Sequence, residues 1–191
     1  METVKLTYLQ VVSETLPEPY RTITREVIDD SNFRLAPGGR EHHHNYRGGL
    51  VDHTSEVLGH ARDMVRGWGT DRDMLVISVA AILHDRNKIF EYEFVQKDGK
   101  EVIIDTSYKK LIYHVPGSWN YFMEQGAKHN IPVDIAAEIS HCMLAHHGRK
   151  EFGSPVEPAT KLAHILHAAD MLSMQEGKEA IRLAKQNGTL Q

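Results

Sequence analysis

The chain has 191 residues, enough for one sizeable core and short for two, so a single domain over 1–191 is expected. Hydrophobic residues make up 41% and charged residues 25%, ordinary values for a globular protein, and no apolar run approaches the ~18 to 20 residues of a membrane span. Lys and Arg number 22 against 26 Asp and Glu, a net charge of −4, which excludes gathering nucleic acid by bulk charge and suits a small or short anionic substrate.

In chain order, Tyr8–Asp30 has apolar spacing that predicts one or two short helices interrupted by Pro17 and Pro19. Asn32–Gly49, rich in Gly, Pro and His, reads as an irregular loop. Leu50–Trp68 places Val57, Leu58, Ala61, Met64 and Val65 on one helical stripe and stops at Gly67 and Gly69. Thr70 or Asp71 can cap a second helix running to about Phe90, whose middle is apolar and central to the domain. Two β-prone runs, Glu91–Val95 and Glu101–Ile104, flank Asp98-Gly99 and predict a small surface hairpin near 91–104. Helices are expected from after Tyr113 to His129, with Pro116 in the first turn, from Val133 to His147 and from Pro158 to Ser173. A short separate helix at 176–186 would complete an all-α domain with its core at about 19–173. Met1–Gln10 has no basic start followed by an apolar stretch, so a cytoplasmic location is expected. The lone cysteine, Cys142, leaves no internal disulfide partner.

The chain holds 13 histidines, where average composition would give roughly four or five. Histidine is the commonest transition-metal ligand, and residues three and four apart share a helix face. His53 shares a face with Val57 and Ala61, His84 and Asp85 follow Ile77 and Ala81, His146 follows Ile139 and Cys142, and Asp170 follows Leu162 and Leu166. All of them point inward on this reading. A buried carboxylate is costly unless it is paired or metal-bound, which makes Asp85 and Asp170 the most informative residues. Imidazole and carboxylate donors suit Mn, Fe, Co, Ni or Zn, and a carboxylate can bridge two ions. Asp85 is the natural bridge, and two ions roughly 3.5 to 4 Å apart would suit attack of water on phosphorus. Lys88, three residues beyond Asp85, could reach a bound phosphate and stabilise its transition state. Arg47, Arg86 and Arg149 are candidates for phosphate contact through the guanidinium fork.

The ordered set His53, His84-Asp85, His114, His146 and Asp170 resembles the signature of the HD superfamily, metal-dependent phosphohydrolases on a helical core. More narrowly, His43-His44-Asn45-Tyr46-Arg47-Gly48-Gly49-Leu50 before His53-Thr54, Leu83-His84-Asp85 with Lys88-Ile89, Ala145-His146-His147-Gly148 and Phe152-Gly153-Ser154-Pro155 resemble the HD domain of YhaM-type 3′-5′ exoribonucleases. The likeness runs from about Pro19 to Leu172, with Arg86-Asn87 standing where that family usually has Ile-Gly. It implies an HD-domain helical bundle, His114 as a further ligand, His147 as a ligand or a substrate contact, and His43 or His44 in the substrate pocket. One or two divalent metal ions, Mn favoured, are the implied cofactor. The implied activity is cleavage of phosphodiester bonds in short single-stranded RNA or DNA. Alternatives are a nucleotide phosphohydrolase, favoured by the acidic charge, and an HD-fold di-iron oxygenase using the same ligand set.

Overall fold

Two prolines shape the start of the chain. In the computed structural model, which describes residues 4–41 and 44–186, helix α1 (Val4–Thr15) ends before Pro17, and α2 (Tyr20–Asp29) begins after Pro19. Proline lacks the amide that a helix interior needs, so the break falls there. The stretch expected to be wholly irregular contains a short helix, α3 (Ser31–Leu35), whose first turn is held by the Asp30 side chain accepting from the Asn32 amide. The described residues that remain, up to Gly48, are irregular as expected.

Helix α4 (Gly49–Val65) buries Leu50, Val57, Leu58, Ala61 and Val65, with His53 among them. Helix α5 (Asp71–Leu83) opens with a reciprocal cap between Thr70 and Asp73, so Thr70 is the capping residue, and every position from Val76 to Leu83 is buried. It packs against α2, α4 and two later helices, which makes it central, as its apolar middle predicts. The helix does not reach Phe90. It gives way after Leu83 to a 3-10 turn over 86–90, because polar anchors outside the helix compete for the chain. The Asn87 amide donates to Ser118 Oγ at 2.9 Å and its side chain to Tyr108 Oη at 2.8 Å. Apolar periodicity carries no trace of such contacts.

The hairpin is present. Strands β1 (Tyr92–Lys97) and β2 (Lys100–Asp105) pair antiparallel with Lys97 opposite Lys100. Asp98 and Gly99 have φ of 52° and 74°, the left-handed pair of a two-residue turn that matches strand twist. A short α6 (Ser107–Leu111) leads into α7 (His114–His129), whose first turn carries Pro116, and α8 (Val133–Ala145) follows. The final helix corrects an expectation. Residues 161–186 form one continuous helix, α9 (Lys161–Gln186), instead of two segments. No proline intervenes, and a lone Gly177 costs only about 1 kcal/mol relative to alanine.

The architecture is thus helical with one hairpin. Its apolar cluster joins residues of α1 to α5 with Phe122, Ile139, Met143, Leu162 and Leu166, and it includes Leu6, Leu9 and Val12, ahead of the core expected from residue 19. Among the described residues no helix is long and apolar enough to cross a membrane.

Candidate metal centre

Five helices deliver polar side chains to one buried point. His53 comes from the middle of α4 and Asp170 from α9; His84 caps α5 and Asp85 follows it; His114 opens α7; His146 caps α8 and His147 follows. The C-terminal ends of α5 and α8 meet here, and the negative pole of a helix end favours a cation. All seven residues proposed as donors are therefore brought together, in two sets. His53, His84 and Asp170 form one, and Asp85, His114, His146 and His147 the other, the donor atoms of each lying within 4.8 Å of one another.

Asp85 joins the sets. Its Oδ1 faces His114 Nε2 at 3.1 Å and His146 Nε2 at 3.5 Å. Its Oδ2 faces His53 Nε2 at 3.1 Å and His84 Nε2 at 3.4 Å. His53 Nε2 also lies 3.2 Å from Asp170 Oδ1. One carboxylate thus offers a different oxygen to each group of imidazoles.

The rings are oriented from behind. The Nδ1 atoms of His84, His146 and His147 lie 2.8, 2.6 and 3.0 Å from the carbonyl oxygens of Ala81, Met143 and Phe152. His114 Nδ1 lies 2.9 Å from Glu91 Oε1, which also accepts from the His114 amide at 2.6 Å. Carbonyl and carboxylate oxygens only accept, so each Nδ1 carries the proton and each neutral ring turns the Nε2 lone pair inward. For His53, Nδ1 is likewise fixed as a donor, through a hydroxyl. Ser173 Oγ donates to Glu56 Oε2 at 2.8 Å, so its one proton is committed and it must accept from His53 Nδ1 at 3.0 Å.

Burial holds His84 and His114 below the ordinary histidine range and takes His147 down to about 3. Burial also opposes charge on His53, but the carboxylates of Asp170 and Asp85 outweigh it and hold that ring at about 9, so its Nε2 carries a proton that a bound cation would displace. Asp85 and Asp170 stay ionised against the same desolvation, Asp85 through Lys88 and the surrounding rings and Asp170 through His53. Lys88 Nζ is 2.5 Å from Asp85 Oδ2. Even so, neither Asp85 oxygen nor His146 Nε2 has a well-formed hydrogen bond. A fully buried carboxylate, a second largely buried one, the inward lone pairs of the neutral rings and these three orphaned atoms fit a pair of divalent ions, which would meet the need for positive charge that hydrogen bonds leave unmet.

Beside the centre lies a cavity of about 760 Å³. Lys88 lines it and also donates to Gly38 O at 2.9 Å. In a 3-10 turn residues three apart eclipse, which brings Lys88 back over Asp85. The other expected substrate contacts are placed elsewhere. His44 is buried against Glu56 Oε2 at 3.1 Å and does not line the cavity. Arg86 lies 4.4 Å over the Tyr121 ring, and Arg149 is exposed and paired with Glu151. Arg47 lies out on the hairpin, and His43 is outside the described residues.

Four contributors escaped the sequence reading. Glu91, which looked like the start of a strand, is fully buried behind His114. Tyr113, with φ 72°, lies along the cavity with its ring 4.3 Å from that of His114. Arg40 and Lys109, both paired with Asp105 at 3.0 and 2.9 Å, line the cavity as well. Only Tyr113 carried a signal, its adjacency to a candidate ligand.

The HD domain family model matches residues 50–175, a span that includes every candidate ligand. Among curated proteins, the chain is similar to the 3′-5′ exoribonuclease YhaM of Geobacillus sp., 31% identical over 78% of this chain and 45% of the relative. The protein of the same name from Listeria innocua is 31% identical over 80% of this chain and 46% of its own length. That from Bacillus velezensis is 29% identical over 90% of this chain and 52% of its own. The chain spans about half the length of these curated relatives. No solved structure matches it.

Proposed function

This chain belongs to the HD domain family, and on that premise we propose that it cleaves phosphodiester bonds as a 3′-5′ exonuclease or phosphodiesterase on short single-stranded RNA or DNA. The enzyme class, a metal-dependent hydrolase of phosphate esters, follows from the family and the donor set; the bond and the polymer are the proposal. The observation that carries it is the position of Asp85, with one oxygen turned to each imidazole group. The names of the relatives supply the polymer and the direction.

Divalent ions at such a centre, Mn being the first to try, polarise phosphoryl oxygens and lower the pKa of water enough for attack on phosphorus near neutrality. His53, His84 and Asp170 would hold one ion, His114, His146 and His147 the other, and Asp85 would contribute to both. Lys88 keeps its proton, because Asp85 and the neighbouring anions outweigh its desolvation. It therefore presents a permanent positive charge from the cavity lining to the oxygens on which charge develops. Tyr113 closes one side of the cavity and, with its hydroxyl 3.3 Å from His147 Nδ1, helps to fix that ring. The second reading, hydrolysis of free nucleoside phosphates, is favoured by one observation: Arg40, Lys88 and Lys109 line a single cavity, where a chain of phosphates could displace Asp105 as the partner of Arg40 and Lys109.

Incubation of the Mn-loaded protein with a 5′-labelled single-stranded oligonucleotide and, separately, with a panel of nucleotides tests the choice. A ladder shortening from the 3′ end with release of mononucleotides is expected. Release of phosphate or pyrophosphate from free nucleotides, with no oligonucleotide attacked, would replace this reading with the second.

A further inference from the structure

A second concavity of about 750 Å³ lies between residues 45–47 and the outer part of the hairpin. It shares Arg40 and Glu41 as lining residues with the cavity at the metal centre, so the two lie side by side. Its lining suits flat, weakly polar rings better than charge. Arg47 lies 4.3 Å over the Phe94 ring, and its fork is already engaged by Glu101 at 2.7 and 3.1 Å. A guanidinium committed to a carboxylate has little left for phosphate, yet its outer face stays open and is held flat by the ring beneath. Tyr46, 46% exposed, lines the same groove with its hydroxyl fixed 2.7 Å from Asp52 Oδ2. Both surfaces are immobilised before any ligand arrives, which lowers the entropy cost of stacking on them. The charges among the lining residues, Arg40 and Arg47 against Glu41 and Glu101, cancel.

We propose that this groove carries the nucleotides on the 5′ side of the scissile bond, with the Arg47–Phe94 stack and Tyr46 as platforms for successive bases. Aromatic rings and arginine planes accept any base face, so the groove grips a single strand without reading its sequence. A duplex, whose bases already stack on one another, offers it nothing. The inference rests on the diester-cleaving reading above for what the metal centre does, but not for what the groove binds.

The test compares kcat/KM for a hexanucleotide and a dinucleotide in the Mn-loaded protein and in Phe94→Ala and Arg47→Ala, alongside binding of a fluorescent hexanucleotide in EDTA. The wild type should favour the longer strand by about tenfold or more, and that ratio should fall towards one in both variants. Binding in EDTA should weaken by roughly 5- to 150-fold, the range expected for loss of one base–aromatic stack. Equal binding of the fluorescent strand by wild type and both variants, or a length preference that both variants retain, overturns the groove. If no diester of any length is cleaved yet the binding difference persists, the hydrolytic reading fails and the groove stands.

Discussion

The two donor sets that meet at Asp85 are built in different ways. His53 and Asp170 project from the interiors of α4 and α9, so two of that set's three donors are held by regular packing, while His84 caps its helix as His146 does. His114, His146 and His147 stand where α7 begins and α8 ends, amid irregular backbone: Tyr113 at φ 72°, Gly148 at 81° and Gly153 at 97°. A non-glycine residue in that region costs on the order of 1 to 3 kcal/mol and persists only where its surroundings impose it. Gly148 is also fixed by space, since a Cβ there would come within 2.6 Å of the His167 ring. A helix face holds a ligand through its core packing; a helix end needs specific polar ties to do the same.

The largest effect should come from the residue common to both sets. Asp85→Ala is expected to lower metal content in both and activity by more than about 10³-fold, as elemental analysis and turnover would record. Retention of two ions per chain would remove Asp85 from its bridging role. Lys88→Ala separates charge from ligation: metal content should stay as in wild type while kcat drops by about 10² to 10³. Unchanged turnover would make Lys88 a partner of Asp85 and Gly38 O only. Next come the groups behind the rings, one from each set. Glu91→Ala removes the one oxygen that accepts from both the amide and Nδ1 of His114, and Ser173→Ala removes the acceptor used by His53; each should weaken its own set by about 10- to 100-fold in metal affinity. Titration with Mn should find Glu91→Ala the more damaging, because it also strands the His114 amide, and the reverse order would contradict the contrast between helix face and helix end. The smallest effect is expected at the far end of α5, where Thr70→Ala loses the cap. About 1 kcal/mol of stability should go, seen in thermal melting, with metal content untouched.

The same contrast decides what could be read in the sequence. His53 and Asp170 were legible because each continues an apolar stripe, and Asp98-Gly99 because the turn demands those residues. The inward placement of Asp85 is legible too, although α5 ends before it. Glu91, Arg40 and Lys109 were not legible. Glu91 owes its place to the start of α7 and Arg40 to Asp105, both distant in sequence, and Lys109 reaches the same Asp105 from only four residues away. Arginines picked by residue type scattered for the same reason. The helical stretch of 176–186 is legible but not its continuity with the residues before it, since Ser173 and Gly177 look like an end until the neighbours that bury Ser173 are known.

The loop near residue 40 and the hairpin are tied across their shared groove by Arg40–Asp105 and Arg47–Glu101, pairs in which every side chain is at least 36% exposed. Exposed pairs contribute only about 0.2 to 1 kcal/mol each and are screened over about 10 Å at 0.1 M ionic strength. The base of the hairpin is fastened differently, by the Thr106 amide donating to Glu91 O at 2.9 Å. Ionic strength should therefore act on the outer hairpin as a hand on a hinge. As salt rises, amide exchange in 93–104 should accelerate and trypsin should cut at Lys97 or Lys100 sooner, while the helices around the metal centre keep their protection.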